Sequence, residues 1–404
     1  MSPNYASLDG ETLLKTLHEK CVIHGVSDVH IAPEKADVRL EWRLHGVLLP
    51  LAKLTYEHYA ELLRRVKFMA KLKLNVTNVP QDGQYTFQVT DDDPGNTAEG
   101  KRSRTAEGGE SLDPARDKRS RTAEGREPRR TVNIRVATLP SRFGEALTLR
   151  FLDPRRGIIP LEKLGFPPVI KEELEKLVQL PNGLILVTGP TGSGKTTTLY
   201  ALLSTIIGKE RNIITLEDPV EYELPGITQS EIDPEHEYSF ASGLRSALRH
   251  DPDVILLGEI RDLETAQTAV NAALTGHLVL STLHTNSAVE SVHRLLSMGV
   301  SPYTLAPSLR AVLAQRLVRT MRQECRKEGA ACDPLDNGTY DGQVCIPELL
   351  TVSPALQQSI LSFESTASMV ALAKKEGFRT MREWGEDLIT AQIPSRVEVD
   401  RVCS

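Results

Sequence analysis

The run Gly189-Pro190-Thr191-Gly192-Ser193-Gly194-Lys195-Thr196 constrains this chain more than any other segment. It satisfies GxxxxGK[ST] at every fixed position, follows the apolar stretch Leu184–Thr188, and opens the helix-favouring run Thr196–Ile207. The three glycines let the backbone curl so that successive N–H groups point at phosphate oxygens. The following helix adds its positive end to the same anion. The residues from Gly189 to Lys195, with Thr196 and Thr197, are therefore expected to cradle a nucleotide. Lys195 should bridge its β- and γ-phosphates, and Thr196 should ligate Mg²⁺.

The surrounding pattern is that of an α/β domain. Leu184–Thr188, Ile213–Leu216, Val254–Leu257 and His277–Thr282 are short β-rich runs separated by helical stretches, which predicts a parallel sheet covered on both faces. This core is expected over 161–320, with the chain turning helical and less regular beyond Ser301 and ending in a C-terminal helical subdomain over 321–404. Ahead of it, 1–152 mixes a helix at Glu57–Leu74 with several strands, predicting a smaller α+β domain, and 153–160 reads as a linker.

Acidic and imidazole groups fall at the strand ends. Asp253-Val-Ile-Leu-Leu-Gly-Glu259 is an apolar strand ending in a carboxylate, the Walker B arrangement, and Glu259 is assigned as general base. Glu217 follows a second strand and is expected to reach the magnesium shell or the attacking water. His277 and His284 bracket a third strand, where imidazoles can donate to the γ-phosphate and report its loss.

The segments GLILVTGPTGSGKTTTLYALL, ITLEDPVEYELPGITQ, LRSALRHDPDVILLGEIRDLETA, LTGHLVLSTLHTNSA and LAQRLVR together resemble the secretion ATPases. More narrowly, they resemble the type II secretion and type IV pilus assembly ATPases. Ser27-Asp28-Val29-His30-Ile31, Pro80-Gln81-Asp82-Gly83, and Thr138-Leu139-Pro140 with Gly144-Glu145 are similar to landmarks of that family's second N-terminal domain. The resemblance implies a RecA-like ATPase core, a homo-hexameric ring, and ATP-driven work on an inner-membrane platform protein that adds pilin-like subunits to a filament. It also implies a cytoplasmic location, peripheral on the inner face of the membrane. Such rings borrow arginines across subunits, for which Arg135 and Arg150 are candidates, with Arg245, Arg249 and Arg261 in the core.

The chain departs from that family in several places. No counterpart of the family's first N-terminal domain is expected here, and His45, Ala32 and Gln84 stand where Asp, Glu and Arg are usual. Two of the four positions of the family's cysteine motif are Arg322 and Leu335, leaving Cys325 and Cys332. Zinc is therefore not expected and reduced thiols are. Three readings remain at this point: an assembly motor (with a pilus-retraction motor as its variant), a nucleotide-gated scaffold with little turnover, and a DNA-translocating relative.

Composition weighs on the last of these. With 48 Lys+Arg against 54 Asp+Glu, the net charge of −6 offers no basic footprint for nucleic acid. No apolar run approaches the ~20 residues that span a bilayer, no secretory signal is visible, and five cysteines make no disulfide framework. These features predict a soluble cytoplasmic protein. Residues 91–130 hold 10 acidic and 10 basic side chains, one Leu, and KRSRTAEG twice. Such a segment cannot offset its ordering entropy by burial and is expected to be a disordered insert.

Overall fold

The computed structural model describes residues 5, 8–90, 129–154, 158–326 and 332–403. Contacts divide the chain into two units, residues 1–155 and 156–404.

In the first unit, α1 (Gly10–His24) starts where the Asp9 carboxylate accepts from the Glu11 and Thr12 N–H groups and stops at Gly25, φ 77°. Strands β1 (Asp28–Pro33), β2 (Val38–Leu44) and β3 (Val47–Leu54) follow, with β2 and β3 joined by a tight turn at His45-Gly46. Helix α2 (Tyr56–Met69) precedes β4 (Gln81–Thr90), β5 (Arg129–Ser141) and β6 (Gly144–Leu152). The six strands run in the order β3-β2-β1-β6-β5-β4. Leu13, Leu17, Leu62 and Val66 of the helices are buried with Val29, Ile31, Leu149 and Ile134 from the sheet. A buried ion pair sits inside: Lys67 Nζ lies 2.8 and 2.9 Å from the two Glu145 oxygens and donates to Val76 O at 2.7 Å. The expected insert lies mostly outside the described residues, but Arg129 and Arg130 are strand, paired with Thr90 and Val89.

The second unit opens with α3 (Pro168–Leu177), β7 (Gly183–Thr188), α4 (Lys195–Ser204), β8 (Ile213–Glu217) and β9 (Thr228–Glu231). It continues through α5 (Phe240–Ala247), β10 (Val254–Leu257), α6 (Leu263–Leu274), β11 (Leu278–Leu283), α7 (Ala288–Ser297) and α8 (Pro302–Ser308). Strands β12 (Leu309–Met321) and β13 (Tyr340–Thr351) precede four helices, α9 (Pro354–Leu361), α10 (Thr366–Lys375), α11 (Met381–Thr390) and α12 (Arg396–Cys403). The sheet order is β13-β12-β7-β11-β10-β8-β9, parallel throughout except for β13 at the edge. Both faces are covered. Leu184 and Leu186 of β7 enter one apolar cluster and Ile185 and Val187 the other, all fully buried.

The stretch beyond Ser301, expected to be helical, contains the two long strands β12 and β13. They pair antiparallel from Ala311↔Thr351 to Met321↔Tyr340 and extend the central sheet. The C-terminal helices then share a core with them: Met381 and Val399 pack in the cluster that holds Ile346 and Leu350. Cys325 and Cys332, expected as reduced thiols, form a disulfide. Their Cα atoms stand 5.6 Å apart, within bridging range. Cys21 and Cys345 are free and buried, and burial pushes both thiols up. Among the described residues no helix is long and apolar enough to cross a membrane.

Candidate active site

The glycine loop leaves the carboxyl end of β7. Gly189, Gly192 and Gly194 adopt φ of 148°, 79° and 88°, open to glycine and strained for other residues. A Cβ on Gly189 would stand 2.6 Å from both Gln315 O and Ser193 Oγ. Lys195 heads α4 and folds back over the loop, its Nζ donating to Gly189 O at 2.9 Å and Pro190 O at 3.1 Å. Burial lowers its pKa; the Glu259 and Glu221 carboxylates counter that, and Arg316 adds to it.

Two observations fit a phosphate here. Helices α6 and α7 are capped by the Asp262 and Ser287 side chains, whereas α4 starts at Gly194 with no side-chain cap, leaving its first N–H groups for a ligand. The buried Ser193 hydroxyl also lacks a protein partner. Among the described residues no group of three or more His, Cys, Asp or Glu could hold a metal ion. A magnesium ion carried on nucleotide phosphates needs no such cage, since it keeps waters and takes one or two protein ligands. Thr196, in the first turn of α4 and half-buried, fits that role.

The general-base candidate lies at the same sheet edge. Glu259, two residues past β10, is 19% exposed at its side chain. One of its oxygens pairs with Arg261, and the other stands 3.4 Å from His284 Nε2. Arg261 also reaches Asp218 at 3.6 Å, and its hydrogen bond to Glu259 raises its pKa against the opposing effect of burial. Parallel strands β8, β10 and β11 end side by side, so Asp218, Glu259 and His284 converge. The loop after β11 is tied to the glycine loop's strand through hydroxyls. Thr188 Oγ1 donates to Leu283 O at 2.9 Å and meets Thr285 Oγ1 at 2.6 Å, and Thr285 meets Ser291 Oγ at 2.6 Å.

Two assignments change. His277 precedes β11, and its carbonyl accepts from Gly183 N at 3.1 Å, at the start of β7. The register runs from Leu278↔Gly183 to Leu283↔Thr188, so His277 sits at the amino edge of the sheet, ~20 Å of strand from the glycine loop. There its Nδ1 lies 3.0 Å from Ala272 O. His277 does not face the phosphate cradle of its own chain.

Glu217 is at the expected strand end but is locked in protein, only 4% exposed. One oxygen accepts from Thr215 Oγ1 at 2.6 Å and Gln229 Nε2 at 3.1 Å, and the other accepts from the Tyr200 hydroxyl of α4. Burial, then the Glu217 charge, pushes the Tyr200 phenol up. In this arrangement Glu217 braces α4 against β8 instead of opening onto magnesium or water.

The arginines divide by partner. Arg245 pairs with Glu264 at 2.6 Å, and Arg249 donates to Arg245 O at 3.0 Å, both surface contacts within the core unit. In the first unit, register places Arg43, Asp28, Arg150, Arg135 and Gln84 directly opposite one another across five strands. They form one row on a single face. Arg150 Nε donates to Asp28 at 2.8 Å and remains 53% exposed at its side chain.

Gln315 and Arg316 of β12 also contribute contacts around the glycine loop and the loop after β11, though no sequence motif singles them out. Gln315 contacts Ser193 and Thr198, and Arg316 Nη2 donates to Asn286 O at 3.1 Å and Oδ1 at 3.2 Å in the loop after His284. The available signal was the run LAQRLVR, which has no fixed-spacing chemistry of its own.

Comparison with known proteins adds an independent line. Residues 9–94 and 123–401 match the family described as Type II/IV secretion system protein. The chain is 39% identical over 382 residues to type II secretion system protein HxcR of Pseudomonas aeruginosa, covering 93% of this chain and 73% of that one. It is 37% identical to the type II secretion system ATPase E of Vibrio cholerae, covering 96% and 74%. Against the type IV pilus assembly ATPase PilB of Thermus thermophilus it is 33% identical, covering 93% and 41%. Among solved structures, the pilus retraction motor PilT with bound ADP aligns over 98% of this chain and 97% of its own, with TM-score 0.60 and 28% identity. The Legionella pneumophila ATPase DotB shares the fold at TM-score 0.67 and 21% identity, covering 98% and 96%. With its glycine loop, its Glu259–His284 edge and these matches, the chain belongs to the type II/IV secretion system family of ATPases.

Proposed function

We propose that the chain hydrolyses Mg-ATP as a subunit of a homo-hexameric motor. Its work is to power assembly of a type II secretion pseudopilus or a type IV pilus from the cytoplasmic face of the inner membrane, against a platform protein there. The observation that carries the proposal is Glu259, held between Arg261 and His284 at the edge where the glycine loop opens, with its charge felt by Lys195. Identity to two of the type II secretion system relatives is 37–38%, against 28% for the retraction motor PilT, which favours assembly over retraction.

The residues divide the labour as follows. The uncapped start of α4 and the loop N–H groups bind phosphate, and Lys195 releases its hold on Gly189 and Pro190 to take phosphate oxygens. Thr196 holds magnesium, which supplies charge neutralisation to the phosphates when bound. Glu259 accepts the proton of an attacking water, and His284 orients that carboxylate and senses the terminal phosphate. Arg135 and Arg150 are the groups we assign to reach a neighbouring subunit's nucleotide. ATP turnover by size-selected oligomers tests the reading: turnover restricted to the hexamer fraction supports it, and nucleotide binding without turnover in every fraction would leave the scaffold reading instead.

A further inference from the structure

Gln315 carries an inference that rests on the nucleotide-site reading. Strand β12 pairs with β7 as far as Ala314↔Thr188, so Gln315 is the next residue on, beside the point where the glycine loop departs. It is 1% exposed. Its Nε2 donates to Ser193 O at 2.7 Å, and its Oε1 accepts from Thr198 Oγ1 at 2.9 Å. The amide has one orientation, since a flip would set its oxygen against the Ser193 carbonyl. The loop also closes down on this residue. A Cβ on Gly189 would lie 2.6 Å from Gln315 O, and one on Gly194 would lie 3.1 Å from Gln315 Nε2.

We propose that Gln315 is a positioning residue for nucleotide binding, whose amide holds the Ser193–Gly194 peptide so that its N–H faces the phosphate. In a trans peptide the C=O and N–H point in opposite directions. Tethering the Ser193 carbonyl inward therefore turns the Gly194 N–H outward, to the open side of the loop. Thr198 completes the clamp: its hydroxyl fixes the far end of the amide, and its own N–H bonds Gly194 O at 2.9 Å. One side chain thus registers the glycine loop, the first turn of α4 and β12 together. Gln315 touches no phosphate itself and acts through the backbone.

The test uses the full chain, a fluorescent ADP analogue for Kd, and ATP turnover for KM and kcat. Gln315→Met keeps length and removes both bonds; Kd and KM should rise about tenfold, ~1.4 kcal/mol, with kcat at saturation within about twofold. Thr198→Val removes one bond and should raise both about threefold. In the Gln315→Met background Thr198→Val should add nothing, because the two act through one contact. If Gln315→Met does not fold by thermal melt, Gln315→Glu takes its place. It keeps the acceptor for Thr198 but opposes the Ser193 carbonyl, so it should weaken ADP binding more than Thr198→Val does. Unchanged Kd and KM in these folded variants, or a fall in kcat alone, overturns the inference. A parent that binds ADP without turning over ATP would sink the hydrolysis reading only, because Kd still reads Gln315.

Discussion

Replacing Glu217 by Gln separates two roles that sequence alone leaves merged. In the structure its carboxylate collects three donors, from Tyr200, Thr215 and Gln229, in a site 4% exposed. Hydrogen bonds to a charged group contribute roughly 1.5–3 kcal/mol against about 0.5–1.5 kcal/mol for neutral ones. Glu217→Gln places its new NH₂ best toward Tyr200, whose hydroxyl can turn to accept, so all three contacts persist in weakened form. Relief of the buried charge returns part of the loss. The net expectation is roughly 1–3 kcal/mol of destabilisation. For a domain of roughly 150–250 residues that lowers Tm by about 2–4 °C per kcal/mol. The assay is thermal unfolding of the full chain without nucleotide or metal. Tyr200→Phe removes the same link from the helix side, and the double variant should lose less than the sum. An unchanged Tm in both variants, together with abolished turnover at unchanged nucleotide affinity, would refute the bracing role and return Glu217 to the chemistry.

Other substitutions test separate parts of the account. His277→Ala should leave ATP turnover within about twofold, whereas His284→Ala, which removes the group beside Glu259, should lower kcat at least about tenfold; equal losses in steady-state assays would contradict the placement of the two imidazoles. Lys67→Met strands the buried Glu145 carboxylate and should cost about 3–5 kcal/mol in denaturant unfolding, with Lys67→Met/Glu145→Gln recovering much of it. Burial opposes ionisation of Glu398, yet hydrogen bonds from Arg401 and Arg319 hold its pKa down at about 2. The stability it carries is therefore present above its ordinary value of 4.5 and is lost as pH falls toward 2. The Tm gap between the parent and Glu398→Gln should narrow over that window, and a gap that widens on acidification counts against the network.

Much of the site was legible because its chemistry is written at fixed spacing. The glycine loop needs three glycines and a lysine in order, and Glu259 had only to end an apolar strand. His277 was misplaced although the direction of the chain held the answer: a residue preceding a parallel strand lies at the edge opposite the ligand. Glu217 sat at the correct edge, but its lock depends on Tyr200 reaching across from α4, a contact between elements that no local pattern encodes. Strand β12 was hidden by composition. Leu, Ala, Gln, Arg and Met favour helices, and β12 is a strand because β7 and β13 supply ladder partners on both sides. Gln315 went unnoticed for the same reason, being a polar residue in a segment that reads as helix.

The central claim is that Glu259 is the base of an ATP hydrolase, and steady-state ATP turnover of Glu259→Gln with Mg²⁺ tests it most directly. Affinity for ADP should stay within about threefold of the parent, because Glu259 lies outside the phosphate cradle, while kcat falls by about 100-fold or more. A Glu259→Gln chain that hydrolyses ATP as fast as the parent would contradict the account.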